Sequence, residues 1–414
     1  MVLLVELQFL GGAEQVGSLG MVLKDGTHKV LFDYGMTPSD PPEYPMPIPP
    51  GVEYCFLSHC HLDHSGMAPV TTRGPHTQMV TTELTRVIAE LLLMDSLKIA
   101  RAERYPEPFT YKELKNWMTR TVGMRREETF RLKGVEVDLT SAGHVPGAAM
   151  YRWRGSKDLL FTGDVHTRPT HLVGGATPLE AEILVMESTY AGREHPDRAE
   201  EDERFRKEVE SVVGQGGQVI VPAFAVGRTQ EILMTLAECN YDIWVDGMGR
   251  AVNEMYLDNP SHIRDPKALR KAIDAAYIVE EPYDREVALS EAEVIVTTGG
   301  MLDGGPVLHY LKALHKNPKN AMFMVGFQVE GSNGRQLLDS GAITFDDRTL
   351  RPKLQIKTFD FSSHAGHSDL VSLARAVRPK TVVLMHGDNR EALASELRKE
   401  FDVKIPLNGE TFSL

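Results

Sequence analysis

Four side chains able to bind a metal fall within the six residues His59-Cys60-His61-Leu62-Asp63-His64. An apolar run, Tyr54-Cys55-Phe56-Leu57, leads into them and Ser65-Gly66 follows. The apolar run predicts a buried strand, and Ser65-Gly66 opens a turn into helix. The four ligands therefore leave a rigid strand on a tight loop. Neutral imidazole suits zinc, and a carboxylate can take a second metal. A lone His-x-His arises easily by chance on one face of a strand, but the added Asp63 and His64 make chance a poor account. The helical His-Glu-x-x-His pattern is a different arrangement and does not apply. Cys60 lies between two ligands, yet strand alternation points its thiol away from the face His59 and His61 share, so it is not expected to bind.

Further strand ends carry the same residue types. Asp33 closes the apolar run Lys29-Val-Leu-Phe, where it either caps a turn or hydrogen-bonds a ligand histidine from behind. His144 follows a predicted strand at 135–140 and is flanked by Gly143 and Gly147. Asp164 closes the strand begun at Asp158, and its two oxygens could each take one metal. His166, just beyond, is expected at the surface.

The elements that must position these groups alternate along the chain. Strands are predicted at 4–10 and 29–33, with a glycine-punctuated turn at 11–20 leading into another strand. That turn is no dinucleotide fingerprint, because no helical pattern follows it. Residues 38–50 are proline-rich and read as a stiff surface loop. Helical periodicity covers 81–104, with Thr81 or Thr82 as cap, and again 109–124. From 198 onward, helices at 198–213, 227–239 and 306–315 alternate with apolar strands at 218–224, 243–246, 294–298 and 321–325, which argues for a largely parallel sheet. A helix at 389–401 and a strand in 403–414, interrupted by Pro406, close the chain.

The 414 residues suffice for two or three domains with large cores. Hydrophobic residues at 42% and charged residues at 25% are ordinary for a globular protein, and no apolar run is long enough to span a membrane. The first residues, Met1-Val-Leu-Leu-Val-Glu, lack a basic flank and cleavage site. Three cysteines without Cys-x-x-Cys spacing argue for a reducing cytoplasm. The net charge of −13 excludes a globally basic nucleic-acid coat, but leaves room for a local cationic groove.

The combination Asp33, His59, His61, Asp63, His64, His144, Asp164 resembles the metallo-β-lactamase superfamily. Later stretches narrow the resemblance to the β-CASP nucleases: Glu187-Ser188-Thr189-Tyr190, 222–231 with Arg228, 299–306, 326–335 with Arg335, 360–365 with His364, and 382–387 with His386. These motifs span essentially the whole chain. They are most similar to the short archaeal proteins related to cleavage and polyadenylation specificity factor (CPSF), rather than to RNase J. No room for KH modules is expected before the first strand, and no large extension after His386.

The resemblance implies an α/β fold: a metallo-β-lactamase αββα sandwich (1–195 and 355–414) interrupted by an α/β β-CASP domain (196–354). It implies two Zn2+ per chain. One would be held by His59, His61 and His144, the other by Asp63, His64 and His386, with Asp164 bridging. It implies hydrolysis of RNA phosphodiesters by a hydroxide shared between the metals, as endonuclease, 5′-to-3′ exonuclease or both. His364, oriented by Glu187, would protonate the leaving oxygen, and Asp33 and Asp63 would belong to the catalytic set. Ser362, Ser363, Arg228, Arg335 and His367 would contact RNA. A homodimer through the C-terminal strand is expected, in RNA processing or decay in the cytoplasm and away from membranes. The first half alone would also allow a hydrolase of small esters or thioesters. A third reading, a non-catalytic scaffold subunit, is disfavoured because every ligand position is filled.

Overall fold

The computed structural model describes residues 4–39, 41–74, 77–345 and 348–414. The extreme N-terminus read above for a leader, and Asp40 of the proline-rich loop, lie outside the described residues. The chain forms two compact units. The first comprises Met1–Pro169, Gly174–Glu194 and Ser363–Leu414; the second comprises Thr170–Val173 and His195–Ser362. Among the described residues no helix is long and apolar enough to cross a membrane.

The first unit contains two seven-stranded sheets. One runs, edge to edge, Thr411–Ser413, Val5–Gly11, Gly20–Asp25, His28–Phe32, Tyr54–Phe56, Gln78–Thr82, Thr121–Met124. The other runs Asp402–Lys404, Thr381–Met385, Ile183–Glu187, Asp158–Phe161, Ala149–Arg154, Val135–Ser141, Thr129–Leu132. Each sheet is antiparallel in one half and parallel in the other. Side chains from both sheets form a single apolar core, in which Phe32 stacks on Phe56 at 5.5 Å and on Phe161 at 4.9 Å. Burying each such ring contributes about 1.5–3 kcal/mol. This core anchors the strands whose carboxyl ends carry the candidate residues. Asp33 follows His28–Phe32, His59 follows Tyr54–Phe56, His144 follows Val135–Ser141, Asp164 follows Asp158–Phe161, and His386 follows Thr381–Met385.

Local chemistry sets the helix limits. Glu83–Glu103 begins at Thr82, whose side chain accepts from the Thr85 amide, and ends at Arg104 in the left-handed region. The second predicted helix is shorter than its periodicity suggested. Thr110 and Glu113 form a capping box at its start, and it stops at Arg120. Thr121–Met124 is instead a strand beside Gln78–Thr82, since pairing with an open sheet edge outweighs weak helical periodicity in Thr-Val-Gly-Met.

The C-terminal stretch also differs from the single strand expected. Asp402–Lys404 joins one sheet, parallel to Thr381–Met385, and Thr411–Ser413 joins the other, antiparallel to Val5–Gly11. Pro406 lies in the crossing, where its carbonyl accepts from the buried Arg390 guanidinium at 2.6 Å. A proline cannot donate to a ladder, so it suits the break between two strands.

The second unit is built on a six-stranded sheet in the order Tyr277–Ile278, Ile243–Asp246, Val294–Thr298, Val219–Ala223, Ala321–Met324, Gln355–Thr358. All neighbours are parallel, as the alternating pattern predicted. Gln355–Thr358 was expected to begin the returning sandwich segment. It pairs with Ala321–Met324 in this sheet instead, and the first unit resumes at Ser363. Helices at Gly249–Asp258, Pro266–Asp274, Pro282–Glu291 and Asn333–Ser340 were not anticipated. All four are short, and Pro266–Asp274 and Asn333–Ser340 draw on side-chain caps from Asp265 and Ser332 as well as on packing.

Candidate metal centre

On the rim of the first unit, two groups of donors converge: His59, His61, His144 and Asp164, and Asp63, His64, His386 and Asp164. Asp164 belongs to both, and its two oxygens divide the work. Oδ2 lies 3.5 Å from His59 Nε2 and 3.6 Å from His144 Nε2. Oδ1 lies 3.1 Å from His64 Nε2 and 3.6 Å from His386 Nε2. Asp63 Oδ2 approaches His64 Nε2 at 3.8 Å and His386 Nε2 at 3.5 Å.

Hydrogen bonds on the far side of the rings determine which nitrogen faces inward. His144 Nδ1 is 2.8 Å from the Ser363 carbonyl, which only accepts, so Nδ1 carries the proton and Nε2 presents a lone pair. His64 Nδ1 likewise donates to Asp33 Oδ2 at 2.7 Å. His59 Nδ1 lies 3.1 Å from the Ser58 hydroxyl. His61 Nδ1 stands 3.1 Å from both His59 Nε2 and His144 Nε2. A proton on His61 serves one of those lone pairs, whereas a cation serves all three nitrogens. Tetrahedral zinc with bonds of about 2.0–2.1 Å would separate such nitrogens by roughly 3.3 Å, close to the spacing present.

Electrostatics and unmet bonds point the same way. Burial pushes His59, His61 and His144 below the usual imidazole range, leaving them in the neutral, ligand form. Burial opposes charge on His64 as well, but Asp164, Asp63 and Asp33 overcome it and hold its pKa well above the usual value. This corner of the site therefore demands positive charge. His64 Nε2 and Asp164 Oδ1 stand 3.1 Å apart without hydrogen-bond alignment, and both ring nitrogens of His386 are buried without a hydrogen bond. Orphaned buried polar atoms are costly, and metal coordination is the ordinary remedy. The donor set fits divalent metal.

Beside the donors lies an acid–base pair. His364 Nδ1 is 3.0 Å from both oxygens of Glu187, and its Nε2 faces Asp164 Oδ2 at 3.9 Å. Glu187 is fully buried and its oxygens also accept from the Val165 amide at 2.7 Å and the Thr189 amide at 3.3 Å. Burial lowers the His364 pKa, but Glu187 and Asp164 outweigh it and raise it to about 9. His364 keeps 20% of its side chain exposed, so a proton held there is reachable from outside.

Comparison with known proteins identifies this architecture. Residues 229–337 match the model of the Beta-Casp domain, and residues 349–406 match that of the Zn-dependent metallo-hydrolase RNA specificity domain. Probable RNase MJ4 of Methanocaldococcus jannaschii is 35% identical over 98% of this chain and 99% of its own length. The chain belongs to the metallo-β-lactamase/β-CASP family. RNase aCSPSF2 of Saccharolobus solfataricus is 36% identical over 99% of this chain and 85% of its own. Transcription termination factor FttA of Methanothermobacter thermautotrophicus is 30% identical over 98% of this chain and 71% of its own. These are archaeal CPSF-like members of the family. A crystal structure of a protein of unknown function from Enterococcus faecalis V583 shares the fold, with a TM-score of 0.65 at 15% identity, over 99% of this chain and 100% of that one. The fold is thus a metallo-β-lactamase sandwich with a β-CASP insertion.

Several positions stand differently from expectation. Asp33, expected in the catalytic set, is fully buried behind the donors: Oδ1 accepts from the Ser58 amide at 2.6 Å, and Oδ2 from the Ser58 hydroxyl at 2.8 Å and from His64. Its bond to the candidate ligand His64 matches one of the two readings its strand-end position allowed. Arg228, expected to meet phosphate, is buried and its guanidinium donates to the Val325 carbonyl. His367 accepts from the Gly192 amide at Nδ1 (3.0 Å), and its Nε2 meets Glu396 at 3.1 Å, so both ring nitrogens serve the protein. Arg335 is exposed and pairs with Asp339 at 2.7 Å. Ser362 contributes its carbonyl to Arg198 and its amide to Asp360. Ser363 contributes its carbonyl to His144. His166, expected at the surface, is buried with Nδ1 against the Arg168 carbonyl. Cys60 stays outside both donor groups, and burial pushes its thiol up to about 12. Ser58 was missed. Its only signal in sequence was a hydroxyl directly before His59.

Proposed function

We propose that this protein is a zinc-dependent ribonuclease that hydrolyses RNA phosphodiester bonds. The observation that carries the reading is one rim holding two donor groups joined by Asp164, with a carboxylate-backed histidine beside them. The relatives named RNase support RNA as the substrate, and the complete donor set speaks against a non-catalytic scaffold.

In this reading two zinc ions bind per chain, one at His59, His61 and His144, the other at Asp63, His64 and His386, and Asp164 is shared. Bound zinc lowers the pKa of water to about 7 and neutralises phosphate charge. The protein's own part is to orient the donors and to keep His59, His61 and His144 neutral. Ser363, Ser58 and Asp33 do this from behind. His364 holds the proton for the leaving oxygen at Nε2, because Glu187 engages Nδ1. Ser362, Ser363, Arg335, Arg228 and His367 remain the proposed RNA contacts. For Arg228 and His367, contact requires their present bonds to be exchanged. The expected division into a metallo-β-lactamase domain at 1–195 and 355–414 and a β-CASP domain at 196–354 is kept with its second boundary moved past Gln355–Thr358, which pairs in the parallel sheet.

A homodimer and a cytoplasmic location complete the proposal. Thr411–Ser413 is an edge strand with a neighbour on one side, a geometry that invites a second chain. The free thiols Cys55, Cys60 and Cys239 suit a reducing compartment. Light scattering at micromolar concentration should give twice the chain mass, and a monomer would remove the dimer. The activity itself is tested with end-labelled RNA bearing a 5′-triphosphate or 5′-monophosphate, and with circular RNA. Chelator-sensitive cleavage of the circle establishes endonuclease action; no cleavage of any substrate with zinc restored would overturn the reading.

A further inference from the structure

The two donor groups are joined in front by Asp164. They are also joined behind, through Asp33 and Ser58. Asp33 Oδ2 accepts from two donors, His64 Nδ1 at 2.7 Å and the Ser58 hydroxyl at 2.8 Å. Because a carboxylate accepts, the Ser58 proton points to Asp33, and the serine's lone pairs are left for His59 Nδ1–H at 3.1 Å. The contact from Ser58 to His64 is longer, at 3.4 Å. The Ser58 amide donates to Asp33 Oδ1 at 2.6 Å, which fixes the serine backbone against the carboxylate. The side chain is equally confined, since a Cβ placed on Gly163 would come within 2.5 Å of Ser58 Cβ. Ser58 and Asp33 are both fully or almost fully buried, so water does not substitute readily for the serine hydroxyl.

We propose that Ser58 is a positioning residue that carries the orienting effect of Asp33 across to His59. It thereby sets the inward-facing nitrogen of a ligand in the group His59–His61–His144, while Asp33, through the shorter of the two contacts to His64 Nδ1, does so for His64 in the other group. The inference rests on the zinc reading above. The predicted signature is selectivity. Removing the hydroxyl should weaken the His59 group and spare the His64 group, because Asp33 Oδ2 keeps its bond to His64 when Ser58 no longer competes for it.

The test is chelator competition for zinc on the full chain with Ser58→Ala placed in two backgrounds. His386→Ala leaves the His59 group as the stronger site, and His61→Ala leaves the His64 group. Outer-shell partners are worth about 10–100-fold in metal affinity. Ser58→Ala should therefore weaken zinc by roughly that factor in the His386→Ala background. In the His61→Ala background the change should be under about threefold, below that outer-shell range. Equal weakening in both backgrounds would mark Ser58 as a general packing residue, and no weakening in the first would remove the link to His59. Either result overturns the proposal. A parent protein that binds no zinc in either background overturns the zinc reading itself, and this inference with it.

Discussion

The rim of the sandwich and the rim of the six-stranded parallel sheet are built alike and finished differently. Both gather loops at the carboxyl ends of strands, the usual place for a site in an α/β architecture. On the sandwich rim, polar groups from distant parts of the chain converge and leave His64 Nε2, Asp164 Oδ1 and the His386 nitrogens without hydrogen bonds. On the parallel-sheet rim, many polar side chains bind their own neighbours. Arg228 serves the Val325 carbonyl, and the Gln328 amide donates to the Gly300 and Gly326 carbonyls at 2.9 Å each. Asp246 accepts from Arg285 at 2.7 Å and Tyr310 at 2.9 Å. Both rims keep some unmet capacity, Gln328 Oε1 and Thr297 Oγ1 on the second among them, but among the described residues only on the first do the unmet atoms belong to clustered histidines and carboxylates of metal-ligand type. The kind of loop is no guide to the kind of site; unmet bonding capacity gathered on several metal-ligand side chains is.

The largest effect expected from this contrast is at Asp164. Asp164→Ala removes the oxygen pair both donor groups share. Metal content should fall from two zinc ions toward one or none, and activity should fall far beyond the roughly 100-fold typical of outer-shell changes. Elemental analysis beside a cleavage assay checks both, and two tightly held zinc ions in the variant would break the bridging assignment.

Next comes His364→Ala, which should keep the metal and lose about 10²–10⁴-fold in rate, the usual worth of a general acid. With sulfur in place of the scissile 3′ oxygen, the leaving group hardly needs a proton and the defect should shrink. An undiminished defect with zinc retained would make His364 a phosphate-holding group.

Glu187→Gln should act through proton affinity. His364 is raised to about 9 in the folded chain, against about 6.5 for a free imidazole. A raised folded pKa adds stability that is complete below about pH 6.5 and lost as pH climbs through about 9. Metal cations in the same cluster would push the pKa down, so chelated protein is the clean case. There, the stability gap between the parent and Glu187→Gln should be wide at pH 6 and narrow at pH 10. Denaturant unfolding measures it, and an equal gap at both pH values would sever Glu187 from the titration.

The smallest effects should come from the second rim. Arg228→Ala leaves the Val325 carbonyl without its donor and should cost about 1–3 kcal/mol of stability. Arg335→Ala removes an exposed pair and should leave the unfolding midpoint unchanged. Should Arg228→Ala instead unfold normally while RNA affinity drops several-fold, its guanidinium is a phosphate contact and the second rim is less self-contained than its bonds suggest.

Much of this was legible before any coordinates. Donor chemistry is a property of residue type, and the apolar runs ahead of Asp33, His59, Asp164 and His386 already placed those groups at strand ends. The parallel sheet of the second unit followed from the alternation of buried strands with helices. Hydrophobic periodicity is local, so sequence alone suffices for it. Three-dimensional packing decided the rest, because the deciding partners lie far apart along the chain. The Ser363 carbonyl sets which nitrogen of His144 faces inward across 219 positions. Ser58 matters only because folding brings Asp33 behind it. Arg228 turns inward because the end of the neighbouring strand offers a carbonyl it can reach, which a helix-start arginine does not announce. Thr121–Met124 became a strand because a sheet edge was open beside it, and the C-terminal stretch split at Pro406 because each half met a different sheet. Residue type and period are written along the chain, while the direction of a hydrogen bond depends on which distant atom folding sets opposite.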